Sequence, residues 1–184
     1  MLFEPAMIDA FSHALRIDMP ALIQPLHGHR DGEEELFAEQ EMLLDRFERE
    51  TAAWIEQGRM LREELWGGID ESDRGNSNSV ATVDHMISAV ENRQREMSTH
   101  IEEWQRRWER VLQLSQHLPG DHYARNKAIG DRLFAALDRR YQERSDFLLF
   151  LKAVRAEIAP DARGGPTFDT PEDLGRYFDS MLNS

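Results

Sequence analysis

Apolar side chains recur along this chain at alternating steps of three and four, and the pattern restarts three times. The first run is Phe37, Gln40, Leu44, Phe47, Thr51, Trp54, Gly58, Leu61 and Leu65. The second is Val83, Ile87, Val90, Gln94, Met97, Ile101, Trp104, Trp108, Val111, Ser115 and Leu118. The third is Leu133, Leu137, Arg140, Arg144, Phe147, Leu151, Val154 and Ile158. Such spacing keeps one face of an α-helix apolar, and no segment alternates as a half-buried strand would. The expected fold is all-α: an elongated up-down-up bundle of three long antiparallel helices with coiled-coil-like heptad seams, plus a short helix at each terminus. Each long helix would span roughly 50 Å at 1.5 Å per residue.

Punctuation between the runs sets the topology. Leu118-Pro119-Gly120-Asp121 offers a stop, a tight turn and a cap in succession, which makes the second and third helices antiparallel neighbours. The first junction, GGIDESDRGNSNS, is a longer polar loop. Gly67 or Gly68 is expected to supply a left-handed residue ending helix one, with Trp66 packed across the turn. Asn78 or Ser79 is expected to cap helix two. Residues 1–32 read as a short amphipathic helix and connector, 33–160 as the bundle, and 161–184 as a loop and last helix capped at Thr170. Tyr177, Phe178 and Met181 would pack beside the all-round apolar stretch Phe147–Leu151, and the N-terminal helix would cover the opposite end.

Folding the runs about their turns brings Thr51, Gln94, Arg140 and Arg144 to one level. They would form a structural polar layer between two apolar clusters. Phe37, Leu44, Trp104, Trp108, Leu133 and Phe134 would build one cluster, and Trp54, Ile87, Val90, Phe147 and Leu151 the other. Buried arginines need a carboxylate, so Glu48 or Glu50 is expected to pair with Arg140 or Arg144; the competing reading rotates helix three and lets both arginines reach water.

Charge changes the picture. The net charge is −13, and residues 31–73 carry 15 acids against 4 bases, whereas residues 74–160 carry 12 against 14. Helix one is therefore the acidic element, which disfavours nucleic acid and anionic membrane and leaves a basic protein as the expected partner. The partner-binding residues expected from this are Glu33, Glu34, Glu35, Glu39, Glu63 and Glu64. Arg106, Arg107 and Arg110 interleave with Glu102, Glu103 and Glu109, so their field cancels. The longest apolar run, Phe147–Leu151, is far short of a membrane span. With no basic, apolar leader at the start, the expected location is cytoplasmic. The seam of helix two can be filled within the chain or by a second copy, which leaves a homodimer open.

Candidate chemistry is sparse. There are no cysteines, which removes thiol catalysis and thiolate zinc sites. No histidine follows a glutamate by three residues, as a di-iron bundle would need, and no phosphate-binding glycine loop is present. No catalytic residue or cofactor is expected, and the chain is read as non-enzymatic. His27-Gly28-His29-Arg30-Asp31-Gly32 resembles the H-x-H-x-D-H stretch of metallo-hydrolases of the β-lactamase type, with glycine at the final position. His27, His29 and Asp31 are thus the candidate metal ligands, on a connector otherwise read as solvated. Phe11-Ser12-His13-Ala14-Leu15-Arg16 is similar to the phospho-accepting box of sensor histidine kinases, which would make His13 the acceptor; the usual acid after the histidine is Ala14, and no ATP-binding region follows. Trp66-Gly67-Gly68 resembles the W-x-G turn of small secreted WXG-type helical hairpins, which implies export. In that family a tyrosine is followed four residues later by an acid, whereas Tyr123 and Tyr141 here precede Lys127 and Ser145. The reading is a protein-binding helical bundle: an adaptor, a secretion-associated chaperone or a toxin-neutralising partner. The alternatives are a WXG-like exported hairpin, or a metal- or phosphate-handling protein using His27, His29 or His13.

Overall fold

The structure, a computed structural model, describes Ile23, residues 32–118 and residues 120–159, apart from the side chain of Glu33. The described residues form three helices, α1 (Glu33–Gly67), α2 (Ser77–Ser115) and α3 (His122–Ile158), packed against each other, with no strand among them. Both terminal helices expected from the sequence, and the connector carrying His27, His29 and Asp31, lie outside the described residues, as does His13.

Periodicity explains which faces are hidden. On α1, Phe37, Gln40, Leu44, Phe47, Thr51, Gly58, Leu61 and Leu65 are buried and Trp54 is half-buried, while the residues between them are mostly exposed. On α3, Leu133, Leu137, Arg140, Arg144, Phe147, Leu151, Val154 and Ile158 are all buried. Removing this apolar surface from water is the main favourable term in folding, at about 25 cal/mol per Å².

The helices contribute to two compact units. One comprises Glu56–Gln94 with residues 143–159. Its core joins Leu61, Leu65, Val83, Met86, Val90, Phe147, Phe150, Leu151, Val154 and Ile158. Asp84 pairs with Arg155 at 2.8 Å, Glu91 with Lys152 at 3.0 Å, and Gln94 Nε2 donates to Ser145 Oγ at 2.6 Å. Numbers rise on α2 as they fall on α3, so these two segments run antiparallel.

The other unit comprises Ile23, residues 32–55 and Arg95–Gln142. Its core joins Ile23, Phe37, Leu44, Phe47, Trp108, Ile129, Leu133, Ala136 and Leu137, with Trp104 and Phe134 packed against it. Trp108 Nε1 donates to the Asn126 carbonyl at 3.1 Å, and its indole lies edge-on to Phe134. Gly130 makes room for that indole: a β-carbon there would come within 2.8 Å of Trp108 Cε2 and 2.9 Å of Cδ1.

The loop between α1 and α2 corrects two expectations. Neither Gly67 nor Gly68 is left-handed. α1 instead tightens at its end, with Gly68 N–H donating to the carbonyls of Glu64 and Leu65 and Ile69 N–H to that of Trp66. The left-handed residue is Gly75 (φ 71°), which aims its N–H at the Ile158 carbonyl 2.7 Å away. Nor is α2 capped by Asn78 or Ser79. Asn76 Oδ1 accepts the N–H groups of Asn78 (2.9 Å) and Ser79 (3.4 Å). The Ser79 hydroxyl is committed elsewhere, donating to Asp73 Oδ1 at 2.8 Å, and Asp73 is only 2% exposed. Gly120 is left-handed (φ 92°) at the second junction, where the sequence placed a tight turn.

Candidate functional site

Trp66 does not stand out from the fold. It is half-buried, packs on the core of its unit, which includes Val83 and Met86 beyond the turn, and lies with its ring centroid 6.2 Å from that of Phe150 on α3.

The acids of α1 fall into two groups. In the unit containing residues 32–55, Glu34, Glu35 and Glu39 are exposed. Glu34 reaches Arg125 at 2.7 Å, and that guanidinium also sits 4.0 Å above the Phe37 ring, so the pair covers the edge of the core. Glu35 and Glu39 make no ion pair among the described residues. Met42, 62% exposed, follows them on the same helix. In the unit containing Glu56–Gln94, Glu63 pairs with Arg59 one turn earlier and Glu64 is exposed without an ion pair among the described residues. Arg59 also holds Glu56, and that hydrogen bond lowers the Glu56 carboxyl pKa.

Two buried polar arrangements lie beneath these surfaces. In the unit containing residues 32–55, Arg140 Nε donates to Thr51 Oγ1 at 2.8 Å, and the same hydroxyl donates to the Phe47 carbonyl at 2.7 Å. The guanidinium stacks on the rings of Phe47 (4.3 Å) and Trp54 (5.9 Å). The expectation that Glu48 or Glu50 would serve Arg140 or Arg144 is corrected: Glu48 Oε2 binds Arg132 at 2.6 Å, together with Asp45, and Glu50 binds Arg46 at 2.8 Å. These carboxylates raise the Arg132 pKa, Glu48 contributing most. The rotation of α3 brings Arg132 outward to the acids and turns Arg140 inward to aromatic faces.

In the other unit, Glu143 is buried and takes a two-pronged contact from Arg62. Gly58 permits it, since any β-carbon at that position would overlap the Glu143 carboxylate. Burial raises the Glu143 pKa, and Arg62 offsets only part of that rise. Gln94 and Arg144 belong to this unit, Gln94 half-buried and Arg144 buried. The sequence pattern placed Gly58 on the seam of α1 but singled out neither Arg62 nor Glu143. The signal available was Gly58, a glycine at a seam position in mid-helix.

Among the described residues no group of three or more histidines, acids or cysteines is arranged to hold a metal ion, and no helix is long and apolar enough to cross a membrane. Comparisons of this chain with known protein families, curated proteins and solved structures find no match.

Proposed function

We propose that this protein acts by binding another protein through the solvent-facing acids of α1, as an adaptor, a secretion-associated chaperone or a toxin-neutralising partner. The observation carrying the reading is that Glu35, Glu39 and Glu64 are exposed and make no ion pair among the described residues, on the element where the acid excess of the chain is concentrated. Glu34, 84% exposed, and Glu63 add charge although each has an arginine beside it. Unneutralised surface acids raise the local concentration of basic partners and speed encounter, and their effect falls as salt screens them. In this reading the three helices form an up-down-up bundle whose heptad seams are spent on the fold, so that the partner meets the polar side of α1. The protein works in the cytoplasm and needs no catalytic group.

The test reverses charge at Glu33, Glu34, Glu35, Glu39, Glu63 and Glu64 to lysine and compares capture of basic proteins from a native lysate with that by the wild type, at low and high salt. Helical circular dichroism confirms that the variant is folded. Loss of capture on reversal, and weakening of wild-type capture by salt, support the proposal. Equal capture by a folded reversal variant refutes it.

A further inference from the structure

We draw no further inference here: the strongest candidate, the exposed Met42 that follows Glu35 and Glu39 on α1, carries nothing because nothing in the structure shows what covers it.

Discussion

Replacing Gly130 by alanine should destabilise the protein, although alanine is the better helix former. In an open helix the exchange would gain about 1 kcal/mol. Here the added methyl would sit within 2.8 Å of Trp108 Cε2 and 2.9 Å of Cδ1, against an ordinary carbon–carbon contact of about 3.5–4.0 Å. Trp108 is 3% exposed, so its indole has little freedom to retreat. If it swings away, the buried Nε1–H loses the Asn126 carbonyl, at a cost of about 1–3 kcal/mol. The edge-on contact with Phe134 goes with it, at about 0.5–1.5 kcal/mol. If instead α3 shifts, the packing around Leu133 and Leu137 is disturbed, with overpacking costs of about 1–3 kcal/mol. After the helix-propensity gain of about 1 kcal/mol, the first route leaves a net loss of about 0.5–3.5 kcal/mol and the second about 0–2, so the expected loss is about 1–2 kcal/mol, or roughly 2–8 °C in Tm for a chain of this size. Thermal unfolding followed by circular dichroism measures it. Gly67→Ala is the control, because nothing lies within 4 Å of its built β-carbon and its Tm should hold or rise. A Trp108→Phe/Gly130→Ala cycle should show coupling of at least about 1 kcal/mol, the smaller ring relieving the clash. A Gly130→Ala protein as stable as the wild type would refute the reasoning.

Three further outcomes follow from the same geometry. Asn76→Ala removes the acceptor for two N–H groups at the start of α2 and should cost about 0.5–2 kcal/mol in urea unfolding, whereas Asn78→Ala should cost much less. Gly75→Ala should lower stability by about 1–2 kcal/mol through backbone strain alone, since no atom lies within 4 Å of its built β-carbon; an unchanged midpoint would show that the left-handed turn is not required. Glu143 titrates above its ordinary value of 4.5 in the fold, so folding favours its protonated form. Its stabilising contribution is complete below the unfolded pKa and is lost as pH rises through the folded one. Relative to Glu143→Gln, the wild type should therefore gain stability as pH falls from neutral to about 4.5, that ordinary value. Paired urea titrations at several pH values check it, and a difference of opposite slope would contradict the burial argument.

Which residues turn inward was legible in the sequence, because a period near three and a half marks one face of a helix whatever that face meets. Phe37, Leu44 and Phe47 on α1 and Leu133, Leu137, Phe147 and Leu151 on α3 are buried where the pattern put them. Six aromatic and aliphatic residues assigned to one apolar cluster, from Phe37 to Phe134, do share it. Trp54, assigned to the other cluster, instead lies by Arg140. The loop was legible as a loop but not in its details. Its cap and its left-handed glycine depend on Asp73 engaging Ser79 and on Gly75 reaching Ile158, the latter a contact from a helix more than eighty residues later in the chain. The surface acids were legible as charge, whereas their neutralisation by Arg125 or Arg59 was not.

Sequence by itself determined, for the described residues, that the chain is helical, where its three long helices start and stop to within a few residues, and which stripe of each is apolar, since these follow from local spacing and turn chemistry. Tertiary structure decided how far each helix is turned about its own axis. A small rotation of α3 chooses between an arginine that meets Glu48 and one that stacks on Phe47, and it sets which residue must be glycine for an indole or a carboxylate to fit. Burial pattern is a property of one helix, but azimuth and close approach belong to pairs of helices. They are settled only when side chains distant in the sequence compete for the same space.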